Sequence, residues 1–240
     1  MIKALSYSEY YQYTHDGSAW YEQYVLGWEK SPNDKMIFGK KIHNEIENRL
    51  NAEDAKVREE QDKCLIEWLK EQGVELKRIA NIQKVLAKKE LQHIKRKAIG
   101  INVRREVAMG AEFDGIPLFG YFDGLDVKFR LLDEDKTVEE SGKWHQPRVD
   151  NNEQLSFYAL IFWLNFHSYF REINLNQINT VKGTMKTFDT VRSKADIEEM
   201  KRAIKQIKEE MDYYGFWEIR LTSKERALLN QQRLPLKSQK

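Results

Sequence analysis

The sequence predicts an α/β fold of the α+β kind, in which helices flank a central mixed sheet built on an antiparallel three-stranded meander. A helical elaboration is expected on its N-terminal side. Three observations carry this. From Lys35 to Gly100 apolar residues recur three or four apart, which places them on one stripe of a helix. From 103 to 136 the chain turns rich in β-branched and aromatic residues, punctuated by Asp-Gly and Gly-Ile-Pro, the signals of strands joined by tight turns. An apolar run, a strand and a last amphipathic segment then follow.

In chain order, SPND at 31–34 is a cap and turn signal before a helix from Lys35 to about Leu50, with Phe38, Ile42, Ile46 and Leu50 four apart. A second helix is expected from about Ala55 to Glu71, carrying Cys64, Leu65, Trp68 and Leu69 and ended by Gly73. A third runs up to about Gly100. Strands are expected near 103–109, 117–125 and 127–136, with tight connections at Asp114-Gly115 and around Asp126. A loop from Val138 to Asn152 leads to EQLSFYALIFWLNFHSYF, too long for one strand and read as a buried helix. A strand near 173–182 follows. The last helix, about 194–214, starts after Ser193 and spaces Ile197, Met200, Ile204, Ile207 and Met211 three or four apart. Residues 1–222 read as one domain with a helical insertion at about 51–100, and 223–240 as a polar tail.

A chain of 240 residues, 41% apolar and with only 12 Gly and 4 Pro, can bury one large core without cross-links. The lone Cys64 excludes an intramolecular disulfide framework and cannot alone hold zinc or an iron–sulfur cluster. The opening MIKALSYSEYYQYTHDGS lacks the apolar run of a secretory signal, and no stretch reaches the roughly 18 apolar residues of a membrane span. A cytoplasmic protein with no membrane partner is expected. Net charge is only +2, but residues 76–105 hold ten Lys or Arg against the single acid Glu90. A run of one sign repels itself unless a polyanion or an acidic surface neutralises it. Lys84, Lys88, Lys95, Arg96, Lys97 and Arg104 are therefore candidate phosphate contacts, with a solvated helix face as the alternative.

Candidate chemistry lies in the meander. Asp123 and Glu134 fall on neighbouring strands, and Lys136 shares the face of Glu134 because strand side chains alternate with period two. Two carboxylates and an ammonium then converge, a set that suits a hard divalent cation, Mg2+ or Mn2+, and a positioned water. An exposed hairpin with surface ion pairs would give the same pattern. Asp133 and Asp135 flank Glu134 and allow a one-residue shift, and period two favours Glu134. Gln154 and Tyr158, at i and i+4, share a helix face. Glu106, on the first strand, is either an auxiliary acid of the site or an ion-pair partner of the preceding Arg104 and Arg105. Tyr7, Tyr10, Tyr11 and Tyr13 are either core residues or a stacking surface for bases.

These elements occur in an order that resembles the RecB-like, phage-exonuclease branch of the PD-(D/E)XK nuclease superfamily. FGKKIHNEIE (38–47) is similar to that family's helix with a metal-binding histidine, here His43. PLFGYFDGLD (117–126) is similar to its Gly-x-x-Asp strand, LLDEDKT (131–137) to its acid-x-Lys-Thr strand, and NEQLSFYAL (152–160) to its Gln-x-x-x-Tyr helix. SYSEYYQY…WYEQYVLGW resembles its opening segment, so the resemblance spans about residues 5–215. It implies a restriction-endonuclease-like core. It also implies metal ligation by His43, Asp123, Glu134 and the backbone carbonyl of Asp135, with Lys136 as catalytic lysine and Gln154 and Tyr158 as a polar clamp near the site. The activity implied is Mg2+- or Mn2+-dependent hydrolysis of single- or double-stranded DNA, as an exonuclease of recombination, repair or phage replication. Departures are the Glu at 134 in place of the branch's usual aspartate, and the absence of the four cysteines with which several relatives hold an iron–sulfur cluster. GxxxxGK[ST] is also absent, so no bound nucleotide is expected and any unwinding would come from a helicase partner. A strand-annealing partner and a homo-oligomer are left open. The rival readings are an inactive nucleic-acid-binding module with this fold and a basic protein-interaction domain.

Overall fold

The computed structural model describes residues 3–28, 31–52, 55–139, 143–222 and 224–225. The described chain forms a six-stranded mixed sheet flanked by helices. Strand β1 is Leu5–Ser6, followed by α1 (Tyr7–His15), α2 (Gly17–Trp20) and one π-helical turn, Tyr21–Val25. Helices α3 (Asp34–Asn51), α4 (Ala55–Glu71) and α5 (Leu76–Ala98) precede the meander β2 (Arg104–Phe113), β3 (Ile116–Asp126) and β4 (Leu131–Val138). Then come α6 (Gln146–Asp150), α7 (Glu153–Phe166), β5 (Glu172–Asn179), β6 (Thr184–Thr190), α8 (Lys194–Tyr213) and α9 (Phe216–Ile219).

Local chemistry fixes most of these boundaries. Asn33 caps α3 by accepting from the Met36 N–H at 3.0 Å, and Ser193 with Asp196 closes a capping box on α8. The β2–β3 turn is carried by Asp114 and Gly115, both at positive φ, as a two-residue hairpin turn of the primed type requires. The connection expected around Asp126 occupies residues 127–130. There the Asp126 carboxylate accepts from the Phe129 N–H at 2.9 Å, and Arg130 takes a positive φ.

The structure corrects several expectations. The meander strands run longer or later than predicted, and the expected loop from 138 to 152 contains α6. The apolar helix ends at Phe166 because His167 adopts a left-handed conformation as its cap. The strand expected near 173–182 is a hairpin, β5 and β6, and its second strand was not predicted. The 223–240 tail lies almost wholly outside the described residues.

The helices pack on the sheet in two layers. Leu132, Ile173, Leu175 and Phe188 join the core formed with α7, α8 and α1. Ile178 faces the other way, into a second core of Ile42, Ile46, Leu65, Leu69, Ile82, Val85 and Leu86 from α3–α5. The N-terminal region is tied to α9 by Arg220, whose guanidinium donates to both oxygens of Glu9 at 2.9 Å and lies on the Trp217 ring.

Sheet topology prepares a cleft. One edge of β3 is paired along 116–125 by β2. The opposite edge meets β1 at Leu118 and Phe119 and β4 at Leu125 and Asp126. Between those two contacts, residues 120–124 pair with neither strand, so β1 and β4 diverge around the middle of β3.

Candidate metal centre

That divergence opens into a cavity of about 720 Å³, whose walls include Tyr7, His43, Glu106, Asp123, Glu134 and Lys136. Asp123 comes from β3, Glu134 and Lys136 from β4, His43 from α3, and Gln154 and Tyr158 from α7. All of these had been singled out in the sequence. Where β4 leaves β3, the Asp135 N–H donates to Asp123 Oδ2 at 2.8 Å and holds the carboxylate at the fork.

His43, Glu106 and Asp123 each offer a ligand atom within 4.8 Å of the others. His43 Nε2 is hydrogen-bonded to Glu106 Oε1 and lies 3.6 Å from Asp123 Oδ1. Glu106 is thus central to the cluster, although sequence reasoning gave it only an auxiliary place. Its backbone marks it out: φ is +49°, in a region that costs a non-glycine residue about 1–2 kcal/mol. The β2–β3 ladder is registered on both sides of it, from Arg105↔Gly124 to Val107↔Phe122, and lapses only where Glu106 faces Asp123.

The neighbouring pair on β4 completes the site. Lys136 Nζ donates to Glu134 Oε1 at 2.7 Å. Gln154 Nε2 donates to the same oxygen at 3.0 Å and to the Tyr158 hydroxyl at 2.9 Å. Tyr158 therefore acts in two ways, since its ring packs on Phe122 with centroids 4.6 Å apart and its hydroxyl anchors Gln154. Gly120 is required here: a Cβ on it would stand 2.9 Å from the Tyr158 ring. The other carboxylate oxygen, Glu134 Oε2, is buried with no hydrogen-bond partner among the described residues. A buried acceptor left open in the same cavity as an imidazole and two further carboxylates fits a divalent cation.

Asp133 and Asp135 point the opposite way from Glu134, so of these three acids it is the Glu134 side chain that faces the cavity. Asp133 receives Lys89 at 2.7 Å, Arg96 at 3.0 Å, Arg105 at 3.1 Å and Asn176 at 2.8 Å. Asp135 receives Lys89 at 2.7 Å, Arg105 at 2.5 Å and Asn176 at 2.9 Å. The Asp135 side chain is thereby committed away from the cavity, so a contribution to a metal would have to come from its backbone. The same network explains part of the basic run. Lys89 and Arg105 are buried, and Arg96, a candidate phosphate contact, is turned inward to Asp133. Lys84, Lys88, Lys95, Lys97 and Arg104 remain exposed. The N-terminal tyrosines mainly pack: Tyr10 is buried against Phe157, Tyr13 meets Trp20 edge-on, and Tyr11 stacks on His15, while Tyr7 alone reaches the cavity.

Burial, then the nearby charge of Asp123, pushes the Glu134 carboxyl up to about 8. Burial likewise raises Asp123, outweighing Lys136 and His43. For His43, burial opposes protonation, but Asp123 and Glu106 hold its pKa above the ordinary histidine value. The sign of the linkage follows. Raised acids favour the fold while protonated, and that contribution is lost as pH rises through about 8. A cation needs the ionised acids and the neutral imidazole, so it must displace protons. For a cation held by these residues, apparent Mn2+ or Mg2+ affinity is expected to rise with pH up to about 8, with proton release measurable by calorimetry in buffers of different ionisation enthalpy. Binding that is independent of pH and releases no protons would contradict this account.

No protein-family model matches the chain, and no curated protein is significantly similar to it in sequence. Among solved structures, the chain is similar to the "Putative exonuclease" from Eubacterium rectale, with a TM-score of 0.59 and 11% identity over 90% of this chain and 81% of that one. At that identity the likeness defines a shared fold, a mixed sheet flanked by helices. SSO0001 aligns over 68% of this chain and 72% of its own at 10% identity with a TM-score of 0.33, too low to equate the folds. No helix among the described residues is long and apolar enough to cross a membrane.

Proposed function

We propose that this protein is a divalent-metal-dependent DNA nuclease of the PD-(D/E)XK kind. The observation that carries this is the convergence of His43, Glu106 and Asp123 within 4.8 Å of one another, in one cavity with Lys136 and the buried Glu134. In this reading His43, Glu106, Asp123 and Glu134 hold the cation, joined by the backbone carbonyl of Asp135. The cation supplies charge neutralisation at the phosphate and makes the attacking water more acidic. Lys136, fixed by Glu134, keeps its proton because the charges of Glu134 and Asp123 outweigh its burial. Its ammonium orients the attacking water and stabilises charge developing on the phosphate oxygens. Gln154 holds Glu134 in place, and the exposed Lys84, Lys88, Lys95, Lys97 and Arg104 contact the DNA backbone.

The fold shared with the Eubacterium rectale protein, and the exonuclease name that protein carries, support exonuclease action in particular. One digestion tests both levels. Free-ended linear, end-blocked linear and circular DNA are incubated with Mg2+, Mn2+ or EDTA. Degradation of free-ended DNA alone, in either metal and not in EDTA, is expected; an imidazole among the ligands makes Mn2+ at least as effective as Mg2+. Cutting of circles would replace the exonuclease reading by an endonuclease, and binding without any metal-dependent cleavage would leave a recognition module with a nuclease fold.

A further inference from the structure

The cavity wall carries two aromatic side chains that the chemistry above does not use. On β3, Phe119, Tyr121 and Asp123 follow at alternate positions, and all three line the cavity. Opposite Phe119 and Tyr121 on β2 stand Gly110 and Ala108, both exposed and too small to cover a ring. Tyr121 is 58% exposed. Its ring meets that of Phe119 at 88° with centroids 4.9 Å apart, which makes an aromatic corner about 7 Å along the strand from Asp123. Core packing accounts for Tyr10 and Tyr158 but not for a tyrosine held out of the core beside a candidate metal ligand. Lys40, exposed on the same cavity wall, has no ion pair among the described residues. A free cation and an open ring on the walls of one cavity are the pairing that grips a single strand, by phosphate contact and base stacking respectively.

We propose that Phe119 and Tyr121 form a stacking platform for an unpaired base of the DNA strand whose phosphodiester lies at Asp123, so that the site takes a single-stranded or frayed end. The position of the phosphate rests on the nuclease reading above; the platform itself does not. In a duplex each base is covered on both faces by its neighbours, so a protruding ring can stack only on a terminal or unpaired base. The perpendicular Phe119 ring braces one side of that base, and the small residues opposite leave room for it.

The test compares wild type, Tyr121→Ala and Tyr121→Trp. Binding of a fluorescein-labelled oligothymidylate, and of a strand of abasic sugar-phosphate units, is measured by anisotropy in EDTA, and cleavage of unlabelled single strands in Mg2+ or Mn2+. Tyr121→Ala should weaken oligothymidylate binding roughly tenfold, the loss of about one stacked base. Tyr121→Trp should restore it, and the abasic strand should not distinguish the three proteins. Equal oligothymidylate binding by Tyr121→Ala and wild type would overturn the platform, as would an equal loss on the abasic strand. If wild type cleaves and Tyr121→Ala binds and cuts single strands as it does, the platform falls and the nuclease reading stands. If the Tyr121 pattern appears with no cleavage in either metal, the nuclease reading falls and the platform stands; no binding and no cleavage removes both.

Discussion

Replacing Asp123 by Ala is expected to lower metal-dependent cleavage by at least about a hundredfold, the scale of losing one preorganised charge at a reacting phosphate, while the metal-free protein becomes no less stable. The two effects have one cause. Asp123 is half-buried in the same cavity as Glu134, and its charge is among the reasons that Glu134 resists ionisation. Removing it relieves that repulsion and frees Lys136 to pair with Glu134 alone, so an acid useful for holding a cation is a burden to the empty fold. Lys136→Ala should lose cleavage to a similar degree, without the relief, because it deprives buried Glu134 of its cationic hydrogen-bond donor. Initial rates on free-ended linear DNA, paired with thermal melting in EDTA, separate these effects. Cleavage within a few-fold of wild type in either variant would sink the proposed roles.

The parts of the site legible in the sequence are those that obey local periodicity. Glu134 and Lys136 share a face because a strand alternates, and Gln154 and Tyr158 because a helix returns after four residues. Asp133, Glu134 and Asp135 could not be told apart by pattern, since all three are acids. What separates them is the set of cations on α5 and β2: Lys89 is 46 residues from Asp135 in sequence and buried against it, a pairing no local rule encodes. Glu106 was underrated for a related reason, because its importance lies in a positive φ and a lapse in the ladder rather than in its neighbours. In the fold, the three long amphipathic helices α3, α5 and α8 and the β2–β3 turn were readable. β6 was not, for Thr184–Thr190 buries only Phe188 and shows no apolar alternation. β1 is too short to carry a pattern.

The basic run illustrates how composition misleads when buried partners are unseen. Its charge excess reads as a surface feature, yet Lys89 is only 2% exposed and joins α5 to the sheet through Asp133 and Asp135 directly behind the Glu134 face. Burial pushes both carboxyls up, but Lys89 and Arg105, with Arg96 on Asp133, outweigh it and hold them below the usual carboxylate range. Lys89→Met is therefore expected to cost about 3 kcal/mol, at the low end for breaking a buried ion pair because Arg96, Arg105 and Asn176 still reach the acids. In a chain of this size that is a fall in Tm of about 6–12 °C. The sign with pH follows from the depressed acids. Their contribution is present above the unfolded carboxylate pKa of about 4 and is lost as pH falls through their lower folded values. The gap between variant and wild type should thus be widest near neutrality and close in acid. Adding Asp135→Asn removes one of the two charges that Lys89 balanced, so the double variant should recover part of the loss. Melting curves across pH decide it: a fall of under about 2 °C at neutral pH, or a gap that widens on acidification, would show that the network does not hold β4 in this way. Because Glu134 and Lys136 alternate with these two aspartates on one strand, a loosened network should also displace them, and cleavage should decline in Lys89→Met even where the protein remains folded.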